Sequence, residues 1–439
     1  MSEPNLFGLD PRELTGERPA EAVRPGAPRL QTPDRAQVRM QTASLDELVP
    51  AGHRVRLFWR FVEGLDLSAL LEPIKAREGG PGRPPIDPRI LLTLWLYATS
   101  KGVGSATEID ELCRTHDVYR WVCGGVSVNY HTISDFRSQQ GEAFGEVLQQ
   151  LLATLMHSGI VKVKRVAQDG MRVRASAGAA SFHREPTLEE CLEEATKRVA
   201  KAARSAKDPH RNRRKQAAQK RAADDRLARA EKALKELPKA RTSKRSADEK
   251  ANARVSLTDP EARVMHMSDG GYRPAYNVQI ATDTASRVAL GVLVTNCGTD
   301  NGQALPMLDE VERNTGKLPR ELLVDGGFVN LDAITSAAGR GVTVFAPVPT
   351  PRQEGVDPHA PKPTDTKAVA DWRRRMATDP AKETYKDRAA TAETVNGDLK
   401  AHRTLGSLSV RGTAKVLAVS LLNVLTYDLV RAIALGAVT

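Results

Sequence analysis

The sequence predicts a mixed α/β chain: a helical N-terminal part, then a sheet-bearing part interrupted by a long, basic helical insertion. Three observations carry this. Helix start and stop signals crowd into residues 45–158. After Gly159, short apolar strand runs alternate with helical runs. Residues 187–253 are charged and Ala-rich, without one aromatic. At 439 residues, 40% of them hydrophobic, the chain is long enough for two or three domains with a well-buried core.

Residues 1–44 are rich in Pro, Arg and Glu with no apolar period, so a loosely ordered arm is expected. Leu45–Leu71 follows with Leu48, Val49, Leu57, Phe58, Phe61 and Val62 at helical spacing. Beyond the breaker EGGPGRPP, Asp87-Pro88 offers an N-cap and a first-turn proline, and Gly102 a stop. Ser105 and Glu108 have capping-box spacing. A long helix is expected from the Asn129 region to about His157. Short helices with tight turns suit a helix-turn-helix-like DNA-binding domain over 45–158, and equally a plain bundle. In the first case Asn129, His131, Ser134 and Arg137 are the side chains that reach DNA.

In residues 159–439, VKVKRVAQDGMRVRAS alternates as a strand around Asp169. GYRPAYNVQIATD, VALGVLVTN, ELLVDGGF and GVTVFAPV supply further strands, with a helix at Gly302–Asn314 between them. Helices are expected at Thr366–Met376, Thr384–His402 and Lys415–Leu435, and the insertion as a hairpin broken near Asp208-Pro209 or Leu237-Pro238.

The charge is unevenly placed. Residues 191–250 hold 20 basic and 9 acidic residues, which is the whole +11 excess of the chain. A solvated charged helix and a phosphate footprint that includes Arg213 and Arg214 both fit this run. Cys113, Cys123, Cys191 and Cys297 are scattered without zinc-ligand spacing, which suits free thiols in a reducing cytosol. The longest charge-free C-terminal stretch, Val416–Tyr427, is twelve residues, against roughly 20 for a bilayer span. The opening MSEPNLFGLDPRE lacks a basic-then-apolar leader. The expectation is a cytoplasmic, nucleoid-associated protein without a membrane partner.

Two-metal phosphodiester chemistry needs carboxylates far apart in sequence that converge on the ions. Asp169 ends an apolar-rich strand run and is followed at once by Gly170, and Asp-Gly is equally a hairpin-turn signal. Asp325 closes LLVD before Gly326-Gly327, where a helix N-cap is the other reading. Glu393 lies in a charged helix, as a solvated glutamate or as a ligand. On an ideal helix Tyr385, Arg388, Glu393 and Lys400 fall within an arc of about 140°.

These residues belong to blocks whose order is specific. QDGMRVRASAG, TDPEARVM, GYRPAYNVQIATD, VTNCGTDNGQALPMLDEV, LLVDGGFVNLDAI and YKDRAATAETVNGDLK resemble successive blocks of IS1182-group DDE insertion-sequence transposases, within the wider IS4/IS5-like set. The upstream block from GRPPIDPRILL to VNYHTISDFR resembles their helical N-terminal domain. The resemblance implies a ribonuclease-H-like fold with Asp169, Asp325 and Glu393 as catalytic metal ligands for two Mg²⁺ ions, Mn²⁺ substituting. It also implies that Tyr385, Arg388 and Lys400 contact transposon-end DNA, and that a homodimer acts on inverted repeats and target DNA. Here Ala392 and Asn396 stand where the family commonly has Val and an aromatic, and Arg388 and Glu393 are one residue further apart than in the best-known form. Glu383, Asp387 and Asp398 are alternative third ligands, and Asp300 a supporting residue. A DNA-binding protein with a decayed site, or a stand-alone nuclease, are the other functions the sequence admits.

Overall fold

Capping side chains set the starts of the N-terminal helices. The computed structural model describes residues 44–77, 79–205, 212–244, 246–351, 353 and 355–438. The expected N-terminal arm lies, but for Ser44, outside these residues, as does the Asp208-Pro209 break. α1 (Arg54–Glu63) begins where His53 accepts from the Val55 amide, and α2 (Ser68–Leu71) is a single turn. α3 (Pro88–Ser100) starts at Asp87, which accepts from the Arg89 amide, and is buried over most of its length. α4 (Ala106–Thr115) starts at Ser105, whose hydroxyl accepts from the Glu108 amide. α5 (Asp117–Cys123) ends at Gly124, which takes the left-handed conformation at φ 55°. The long helix expected up to His157 is in fact two, α6 (Tyr130–Gln139) and α7 (Gly141–His157). Gln140 leaves the helical conformation, and Gly141, having no Cβ, lets α7 begin against Ala418.

The sheet part runs β1 (Arg165–Arg174), β2 (Phe182–His183), α8 (Glu185–Ser205), α9 (Arg213–Thr242), α10 (Ala247–Ala251), β3 (Val255–Ser256), β4 (Arg263–His266), β5 (Tyr272–Asp283) and β6 (Ala289–Thr295). It continues with α11 (Ala304–Thr315), β7 (Glu321–Leu323), α12 (Leu331–Gly339), β8 (Thr343–Phe345), α13 (Lys367–Ala377), α14 (Asp379–Arg388), a π-helical turn (Ala389–Glu393), α15 (Thr394–Ala401) and α16 (Thr413–Ala434). The sheet order is β4-β5-β1-β7-β8, with β6 also beside β5. β5 is antiparallel to β1, β4 and β6, whereas β7 is parallel to β1 and β8. Asp169 and Gly170 lie inside β1, opposite Ile280 and Gln279, so the hairpin reading of Asp-Gly is wrong.

α8 and α9 pack as a hairpin whose base has its own small core of Leu188, Ala233, Leu237, Ala240, Ala253 and Val255. α9 runs through Pro238 without a break. Its base is tied to the sheet part by Glu236 to Arg263 at 2.8 Å and Lys232 to Glu261 at 3.2 Å.

Leu45–Thr439 is one compact unit, and its main hydrophobic core runs from Val49 to Ala432, beside the small core of the hairpin base. At its centre lies α16, which extends beyond the charge-free stretch seen in the sequence. By length and composition α16 would cross a membrane, yet 78% of its most apolar window is buried, among α3, α6, α7 and β6. The block around Thr258 serves its N-terminus. Asp259 accepts from the Gly412 amide (3.1 Å) and the Tyr276 hydroxyl (2.7 Å), and Glu261 from the Thr413 amide (2.9 Å). Two carboxylates thus satisfy amides that the first turn leaves unpaired and oppose its dipole.

Candidate active site

Strand register brings the two aspartates together. β1 and β7 are parallel with Ala167 opposite Leu323, so Asp169 and Asp325, each two residues further on, come side by side. Asp169 stays within its strand, where Oδ1 accepts from the Gly170 amide (2.9 Å) and Oδ2 from Asn396 Nδ2 (3.2 Å). Asp325 caps the short 3₁₀ turn Gly326–Phe328, its Oδ1 accepting from the Gly327 amide at 2.8 Å. The N-cap reading of Asp325 holds, and its capping oxygen leaves Oδ2 to face the cluster.

One guanidinium joins the three carboxylates. Arg388 Nη2 lies 3.5 Å from Asp169 Oδ1 and 3.7 Å from Asp325 Oδ2, and Nη1 lies 3.3 Å from Glu393 Oε1. Side-chain exposure rises from 17% at Asp169 through 37% at Asp325 to 63% at Glu393, so the cluster opens to solvent on the glutamate side. Burial pushes the Asp169 carboxyl above the usual carboxylate range, against the pull of Arg388 and the Gly170 amide. Burial also raises the Tyr385 phenol and lowers the Lys400 ammonium, and both groups feel the charge of Asp169.

The π-helical turn accounts for the longer Arg388–Glu393 spacing. In a regular α-helix residues five apart point to different faces, whereas residues four apart nearly align. A π turn closes i→i+5 and takes up one extra residue. Ala389–Glu393 therefore returns Glu393 to the face of Arg388, with Ala392 buried beneath. The arc expected on a uniform helix does not apply across this turn. Asn396, at the position where an aromatic was expected, is the residue that holds Asp169. A polar side chain three residues beyond Glu393 on the same helix was the available signal.

The alternative third ligands are engaged elsewhere: Glu383 with Lys386 (2.6 Å), Asp387 with Arg165 (2.6 Å) and Asp398 with Arg403 (3.0 Å). Asp300 is buried and accepts from Asn277 (2.8 Å), Gln279 (2.6 Å) and Arg172 (2.8 Å). These partners, with Gly170, lie on the face of β1 opposite to Asp169, because side chains alternate along a strand. The amide network of Asn277 and Gln279 was not anticipated; two buried amides at i, i+2 in an apolar strand run were its signal.

Arg137 is not a DNA contact. It is only 7% exposed, stacks 4.3 Å from the Trp95 ring centroid, and donates to the Gly104 carbonyl (2.7 Å) and the Ser409 hydroxyl (3.0 Å). Burial lowers its pKa to about 10. It is a packed structural cation that ties α6 to the segment before α16. Asn129 spends its side-chain carbonyl capping α6, accepting from the Thr132 amide at 3.0 Å. His131 is exposed, its ring 4.0 Å from that of Tyr130. Arg213 and Arg214 are exposed in the first turn of α9.

Among the described residues no three His, Cys, Asp or Glu side chains form a preassembled metal cluster, since Arg388 stands between the carboxylates. The donors nonetheless fit a hard divalent ion: they are carboxylate oxygens, and the point on which they converge already accepts positive charge.

Two protein families match the chain, a transposase domain (DUF772) over residues 43–139 and a transposase DDE domain over residues 254–429. Asp325 and Glu393 fall within the second match, and Asp169 precedes it. No curated protein and no solved structure matches. The two matches and the mixed sheet define the class, a ribonuclease-H-like fold bearing a DDE domain. The chain belongs to the insertion-sequence DDE transposases of the IS4/IS5/IS1182-like type. This family acts on DNA in transposition and generally uses divalent metal ions.

Proposed function

We propose that the chain cleaves DNA at its element's terminal inverted repeats and joins the freed 3′ ends to target DNA, with Asp169, Asp325 and Glu393 as ligands for Mg²⁺. The observation that carries this is the approach of all three carboxylates to within 3.7 Å of one Arg388 guanidinium. Two Mg²⁺ ions, or Mn²⁺ in their place, supply Lewis acidity to the phosphodiester and its leaving oxygen when bound. The Gly170 amide and Asn396 fix the Asp169 carboxylate, and the Gly327 amide fixes Asp325. Tyr385, Arg388 and Lys400 border the carboxylates and would position the DNA strand by its phosphates. A homodimer on the paired ends, at the nucleoid, is the working assembly.

The test is Mg²⁺-dependent nicking of end DNA followed by strand transfer of precut ends, with the purified chain. Both activities are expected. Nicking without joining would mark a nuclease, and DNA binding without either would mark a decayed copy.

The insertion would add backbone contacts, through Arg213, Arg214 and Lys215, with Asn129 and His131 as a separate contact on α6. The first helical turn disfavours cations, and these three stand there exposed, as a polyanion-binding tip would require. At 1.5 Å per residue the tip stands about 35 Å from Glu236 at the base, the rise of about ten base pairs. Replacing the three by Gln is expected to reduce the slope of log K against log salt by about 2–3. An unchanged slope in a binding titration would leave α9 a solvated helix.

A further inference from the structure

We propose that Arg388 is the resident cation of the carboxylate cluster, holding it together in the DNA-free protein and yielding its place when a divalent ion binds. The inference rests on the metal-ligand reading above and adds a second partner to Arg388.

Four observations carry it. Arg388 lies within 3.3–3.7 Å of all three carboxylates, which otherwise would repel one another. These contacts are longer than the 2.7–2.9 Å of a fully formed charge-assisted hydrogen bond. The guanidinium is therefore shared among three acids rather than forked onto one. Its side chain is only 13% exposed, yet Nε is buried with no hydrogen-bond partner among the described residues. Leaving such a donor unpaired is costly, which marks this arrangement as one of two. Finally, the π turn aims Arg388 and Glu393 at the same point, so the cation and the most exposed carboxylate share one hinge-like turn.

A divalent ion and a guanidinium cannot both sit between these acids. With a divalent ion held by Asp169, Asp325 and Glu393, Arg388 would give up its place, and a nearby DNA phosphate would give the displaced guanidinium a new partner. Ion binding and DNA binding then favour each other through one side chain, and such coupling is reciprocal.

Calorimetric titration of the full chain with Mn²⁺, without DNA, tests this. Arg388→Gln removes the competing charge and is expected to bind Mn²⁺ at least about tenfold more tightly than the parent. Arg388→Lys keeps the charge and is expected to bind as the parent does, which separates charge from packing. Adding end DNA is expected to tighten Mn²⁺ binding by the parent but hardly by the Gln variant. If the parent binds Mn²⁺ and the Gln variant binds it equally or less well, the inference is overturned. If neither binds, and Asp325→Asn changes nothing, the carboxylate reading itself falls.

Discussion

Asp169→Asn is expected to lower Mg²⁺-dependent cleavage of end DNA by at least about 10³-fold, the scale on which removal of one member of a catalytic unit acts. Asp325→Asn should do the same. The amide has the shape of the carboxylate and can keep the hydrogen bond from the Gly170 amide, so folding and DNA binding should survive. It has lost the charge that a hard ion requires. Burial already disfavours a charged Asp169, so the variant's melting temperature should equal or exceed that of the parent. Single-turnover nicking beside a binding titration measures both halves. Cleavage by the Asp169→Asn variant at the parental rate would remove Asp169 from the site.

Gly170→Ala should have the largest effect on stability, a loss of about 3 kcal/mol or more. A Cβ at residue 170 would overlap Asp300 Oδ1 and Gln279 Nε2, and would come within 2.8 Å of Asn277 Oδ1. No rotamer relieves a methyl group, so the buried network must open. Asp300 would then lose donors that compensate its buried charge. Because Gly170 donates to Asp169, the Asp169 carboxylate would shift as well. Denaturant unfolding decides this, and a Gly170→Ala variant within about 0.5 kcal/mol of the parent would show that the network is not packed as described.

Gly170 also shows where sequence reading stops. Asp-Gly is a turn signal because glycine relieves the backbone, but here glycine serves a close approach of side chains inside a strand. The approaching groups, Asn277, Gln279 and Asp300, lie more than a hundred residues away, so the two amides at i, i+2 are visible in the sequence but nothing local joins them to Gly170. Asp169 and Asp325 each read locally as a turn or a cap, and only the order of blocks paired them; parallel register is what brings them side by side. Glu393 was legible only through the order of blocks, since its helix is exposed and charged and the π turn hides its face. Arg137 was misread because a basic residue on a short helix looks solvent-facing until Trp95 and Ser409 are in place. Expected helices at 366–376 and 415–435 appear within two residues as α13 and α16, where caps and apolar periods agree.

The burial of α16 under both the N-terminal helices and the sheet has a mechanical consequence. Domains that reorient freely meet over modest, polar surfaces, whereas here one apolar rod is wedged between α3, α6 and α7 on one side and β6 on the other. The N-terminal helices and the strands that position Asp169 and Asp325 are therefore held in a single rigid frame. The helical segment expressed alone would have no partner for its widest greasy face.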